Sequence, residues 1–326
     1  MMSTANNPWP SADVGRRSAR VTGELISGLE VPTPSPSRGH RYGRRAARTL
    51  AGMGLAIAAD SHPDAWAAAA VSLQQPVATG RRIAVLSPAG GVGRSALVTA
   101  ITAELRRFRS DVVARIDLAD QASGQAGTEE LLAVSPRDAW EAVRARRPET
   151  RTELLNLLAY RDTRLVDLYA SSPEEPLRAE DVRLLLSEVS RHAAVTIVEC
   201  PAGRTDPRTL SATADAHAVI VVGRQDRASV RAVIDHASWL QNELPRTPVL
   251  AVANQRDRVA APWHGGLRRS IDDRALSWTA IGHSKALRRD PHPHTVLERG
   301  RRIEVMQAAA AALTLSRGLR PDEVEA

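Results

Sequence analysis

A chain of 326 residues, 43% of them hydrophobic, suffices for one large α/β domain with appendages or for two small domains. Its single cysteine, Cys200, excludes an internal disulfide framework and fits a reducing cytosol. The net charge of +7 admits weak nucleic-acid or anionic-membrane contact, but nearly all of it is arginine, Lys285 being the sole lysine, in runs such as 41–48 and 299–302 that read equally as solvated surface.

Residues 1–45 are rich in Pro, Ser, Gly and Arg and cannot bury enough apolar surface to offset their ordering entropy, so a disordered leader is expected there. Residues 46–80 form a short helical lead-in. An alanine-rich pattern over 45–73 predicts one or two helices, the second capped by Asp64 with Trp66 and Val71 on its apolar side. The apolar stretch 50–59 is far shorter than the roughly 20 residues of a bilayer span, which points to a cytoplasmic protein and leaves peripheral contact with the inner membrane open.

From Arg82 short apolar runs alternate with helical stretches. Strands are expected at 83–86, 112–118, 164–169, 194–198, 218–222 and 249–253. Helices are expected at 95–107, 138–158, 180–192, 228–240 and 303–315. Strands separated by helices of this length imply βαβ units. The fold class is therefore α/β, a doubly wound and mostly parallel sheet over 81–318, with a tail at 319–326.

The chemistry concentrates in Gly90, Gly91, Val92, Gly93, Arg94, Ser95 and Ala96, which follow a β run and open onto a helix, the setting a phosphate cradle requires. The three glycines let backbone N–H groups converge on an anion without intervening side chains. Ser95 falls in the first helical turn, where its hydroxyl can complete a magnesium shell, and Arg94 stands where a P-loop lysine would reach the β- and γ-phosphates. A strict Walker pattern wants glycine at Pro88 and lysine at Arg94, so a plain glycine-rich turn is the competing reading.

Taken with motifs further along, the loop resembles the deviant Walker A motif of the MinD/ParA family of P-loop ATPases. Ala89 stands at that family's signature lysine and Arg94 at its P-loop lysine. Residues 116–121 (IDLADQ) resemble its second acidic motif, with Asp117 at the first aspartate and Ala119 replacing the second. Residues 195–203 (VTIVECPAG) resemble the Walker B and switch II region, with Glu199 in place of aspartate. Residues 249–254 (VLAVAN) resemble the strand ending in the adenine-contacting asparagine, Asn254. The resemblance covers about 75–315. It extends to actinobacterial MinD-like proteins associated with type VII secretion, through the Pro-rich leader, the lead-in 75–87 and the alanine-rich ending 287–318.

The resemblance implies ATP or ADP with Mg2+, a nucleotide-gated homodimer, and protein partners in a secretion or positioning system. Ser95 and Glu199 would serve the metal, Arg94 the phosphates, Asp117 the metal or water network, and Gly203 would sense the γ-phosphate. The departures weaken catalysis: Ala89 cannot reach across a dimer, Arg94 is bulkier than lysine, and Ala119 lacks a water-orienting carboxylate. ATP binding with weak or no hydrolysis is expected. The alternatives are a nucleotide-independent scaffold, in effect a pseudo-ATPase, and a ParA-like DNA binder. Cys200 reads as a small buried residue, His292 and His294 as loop polar groups, Asp272 and Asp273 as loop, Trp239 and Trp278 as core or lid, and Asp215 as closing a turn.

Overall fold

The computed structural model describes residues 62–119, 134–158, 164–169, 176–257, 271, 276–289 and 296–318. The chain divides after Ala56, and all described residues belong to the second unit. The leader, the lead-in before 62, Asp120 and Gln121, Asp272 and Asp273, His292 and His294, the 41–48 run and the tail lie outside the described residues.

Seven strands form one sheet in which every pairing is parallel: β1 (Arg81–Leu86), β2 (Val113–Asp117), β3 (Leu165–Leu168), β4 (Val195–Glu199), β5 (Ala218–Arg224), β6 (Val249–Asn254) and β7 (Ser277–Ile281), in the spatial order β3-β2-β4-β1-β5-β6-β7. The inner strands are apolar runs buried on both faces, as helices on either side require. Alternate residues of one strand feed different cores. Ile83 and Val85 pack with α1 (His62–Gln74), α2 (Arg94–Phe108) and α9 (Arg299–Ser316), whereas Ala84 and Leu86 face α5 (Ala179–His192), α6 (Pro207–Ala214) and α7 (Arg227–Glu243). This is the doubly wound arrangement expected. Among the described residues no helix is long and apolar enough to cross a membrane.

Local signals set the helix boundaries. Asp206 accepts from the Arg208 N–H at the start of α6, with Pro207 in the first turn, and Asp226 accepts from Ser229 N–H at 2.9 Å to start α7. The single helix expected over 138–158 is two, α3 (Pro136–Arg146) and α4 (Arg151–Leu157). Arg147 takes a left-handed φ of 43° before Pro148, which stops α3, and Thr150 caps the next helix through Glu153 N–H.

The expectations for α1 fail as well. The apolar side of α1 is Ala69, Ala70 and Leu73, while Trp66 is 40% and Val71 63% exposed, and Asp64 lies inside the first turn instead of capping it. The small side chains of α1 meet those of α9 (Ala308, Ala309, Ala312), so close helix approach is won by alanine and Trp66 is left at the rim, edge-on to Phe108. Strand β7 and the short helix α8 (Lys285–Arg289) had no sequence signal: β7 is a half-buried edge strand with no apolar run. Asp215 ends α6 as expected and also accepts from Arg183 Nε at 2.7 Å.

Candidate phosphate-binding cleft

The carboxyl ends of β1, β2, β4 and β6 converge, and a cleft of about 490 Å³ opens there beside the glycine loop. Open α/β sheets bind ligands at such a place, where the chain leaves neighbouring strands toward opposite faces. Gly90 through Ala96 form one wall; Ala119, Pro201 and Ala202 form another. The first-turn N–H groups of α2, at Arg94, Ser95 and Ala96, carry no hydrogen bond to any described residue. They are the unpaired donors of a 15-residue helix whose N-terminus lies at the cleft wall, a ready anion site.

Gly91 and Gly93 have φ of 71° and 85°. At Gly93 the requirement is double, because an added Cβ would run into Nδ2 of Asn254. That amide donates to Val92 O at 3.0 Å, so Asn254 braces the loop from β6. Neither Asn254 nor Gly203 is among the cleft-lining residues, and the Gly203 N–H donates to Ser87 O at 2.9 Å.

Below the loop lies a charged floor. Glu199 is 1% exposed, and its Oε1 accepts from Arg94 Nε at 3.1 Å and from the Ser95 hydroxyl. Arg94 Nη1 also donates to Ser87 Oγ at 3.1 Å. Asp117, the register partner of Glu199 on β2, is buried and accepts from Ala119 N–H at 2.8 Å. Loss of water first, then the charge of Glu199, push the Asp117 carboxyl up to about 8. The structure thus brings Arg94 and Ser95 onto Glu199, with Asp117 beside it on β2.

Magnesium needs hard oxygen donors in a near-octahedral shell. The donors available are the Ser95 hydroxyl, the Glu199 carboxylate, which is already charge-paired with Arg94, and the Asp117 carboxyl, which accepts from the Ala119 N–H. Among the described residues no group of three or more His, Cys, Asp or Glu can hold a metal ion. These residues do not fit a divalent cation as arranged.

Sequence reasoning missed Arg256, Leu287 and Arg288, which also line the cleft. Arg256 Nη1 donates to Gly91 O at 2.8 Å, and its position two residues beyond Asn254 was the available signal. Cys200 is fully buried, its thiol pushed up to about 12 chiefly by burial, as a packing residue should be. Trp239 is partly buried, edge-on to His236 and beneath the Arg204 guanidinium, while Trp278 packs half-buried on the edge strand.

No family model and no curated protein sequence matches the chain. Solved structures do. A ParA family ATPase from Chlorobium tepidum superimposes with TM-score 0.52 and 14% identity over 73% of this chain and 93% of that one. The septum site-determining protein MinD of Pyrococcus horikoshii, complexed with Mg-ADP, gives 0.51 and 14% over 70% and 94%. The ATP complex of an McdA variant from Cyanothece gives 0.50 and 13% over 74% and 98%. The seven-stranded parallel sheet shares the fold of these three structures.

Proposed function

We propose that this chain is a nucleotide-binding protein of the MinD/ParA type that takes ADP or ATP in the cleft between the glycine loop and Ala119. The observation that carries the reading is the set of unpaired N–H groups at Arg94, Ser95 and Ala96, at a helix N-terminus beside glycines that keep side chains away. The solved structures of this fold include ATP and Mg-ADP complexes, which supports the choice of ligand.

Hydrolysis is slow or absent in this proposal. Arg94 is held on Glu199, Ala89 and Ala119 carry no charge, and the Gly203 N–H is engaged by the protein itself. Nucleotide occupancy would act by changing the shape of the 201–206 segment, whose Arg204 touches Trp239 on α7, and thereby control homodimerisation and a protein partner in a positioning or type VII secretion system.

Thermal denaturation with ADP or ATP tests the reading, since a ligand that selects the native state must raise the melting temperature. A rise that is absent in Gly93→Ala is expected. No shift at millimolar nucleotide would overturn the reading and leave a scaffold that acts by protein contact alone.

A further inference from the structure

We infer that the cleft binds its nucleotide's phosphates without a divalent cation, the Arg94 guanidinium standing as the cation between Glu199 and the phosphate chain. The inference rests on the nucleotide reading above and specifies its charge balance.

A cradle that depends on magnesium must leave a carboxylate free to hold the ion or its water shell. Here the Glu199 carboxylate receives Arg94 Nε and the Ser95 hydroxyl on the same oxygen, so its charge is met by a tethered cation in place of an exchangeable one. Arg94 is fixed from a second side by Ser87 Oγ, which in turn donates to Ala89 O at 2.9 Å. Two anchors set the plane of the guanidinium. Its Nη2 carries no hydrogen bond to a described residue, and Arg94 lines the cleft, so donors remain for a phosphate oxygen. A planar fork suits that contact, with charge-assisted bonds stronger than neutral ones.

The rest of the wall agrees. Arg256 and Arg288 line the same cleft, and none of its lining residues is Asp or Glu. A polyphosphate therefore meets three guanidinium groups and the positive end of α2. A divalent ion would add charge where three guanidinium groups already line the cleft and Glu199 is paired with Arg94, while Asp117, the other carboxyl beneath the loop, accepts from the Ala119 N–H.

Isothermal titration of ADP into the full chain, once in excess magnesium and once in EDTA, decides the matter. The dissociation constant should agree between the two buffers within about threefold, and Arg94→Ala should bind at least about tenfold more weakly in EDTA, with magnesium restoring part of the loss because Glu199 is freed. A melting curve checks that the variant is folded, and Arg94→Lys, which keeps the charge but not the fork, replaces it if it is not. Wild-type binding that weakens more than about tenfold in EDTA overturns this inference and leaves the nucleotide reading standing. Absence of binding in both buffers overturns both.

Discussion

Two arginine–carboxylate pairs flank Asp117, and they differ in what surrounds them. Arg115 and Asp167 face each other in register across β2 and β3, with Nε to Oδ1 at 2.6 Å and side chains 3% and 5% exposed; Thr99 and the ring of Tyr169 close the rest of the guanidinium. Arg94 and Glu199 sit at 3.1 Å with exposures of 12% and 1%, so one partner is sealed and the other lines a cleft. A pair enclosed on both sides can only be architecture, because nothing reaches it to exchange. A pair open on its cationic side can pass part of its hydrogen bonding to a ligand. The contact chemistry is the same; burial of the second partner separates the roles.

Asp167→Ala breaks the enclosed pair and should have the largest effect, about 3–5 kcal/mol, since Arg115 keeps its charge without its carboxylate. Chemical denaturation measures it, and a loss below about 1 kcal/mol would contradict the architectural role. Gly93→Ala, which combines a positive φ with a clash against Asn254, should cost about 2–3 kcal/mol and abolish nucleotide-induced stabilisation. Arg94→Ala should cost less, about 1–2 kcal/mol, because Arg94 lines the cleft, so removing its side chain lets water reach Glu199, and Ser95 still donates to that carboxylate. If it proves as costly as Asp167→Ala, the distinction between the two pairs collapses.

The last test concerns pH. Asp117 has a folded-state value of about 8 against an ordinary 3.8, so the folded protein holds a proton that the unfolded chain releases. Its contribution is fully present below the ordinary carboxylate range and is lost as pH rises through about 8. Melting temperatures of wild type and Asp117→Asn should diverge steadily across that window, the variant gaining as pH rises. Parallel curves would show that Asp117 is ionised in the fold.

Much of this was legible in the sequence because it is local. The runs at β1, β4, β5 and β6 are short and mostly apolar, which marks them as strands buried on both faces. The glycine loop announced itself by position and composition, and the ordered motifs at Asp117, Glu199 and Asn254 placed it at one end of a parallel sheet. Elements held by distant partners were not legible. Strand β7 exists because β6 offers an edge, and Trp66 lost its place in the core to alanines on α1 that match alanines on α9 more than 230 residues away.

The sequence by itself determined the α/β order, the glycine loop and the identities of the charges beneath it, since periodicity, turn chemistry and residue type act within a few positions of the chain. Only the tertiary structure decided how those charges are spent. Sequence placed Arg94 at a phosphate-facing position and Glu199 at a metal-serving one. The parallel register of β1, β2 and β4 instead brings the two within 3.1 Å of each other, with the Glu199 side chain 1% exposed, where opposite charges pair. Which arginine meets which carboxylate depends on strand neighbours far apart in sequence, and no local rule contains that information.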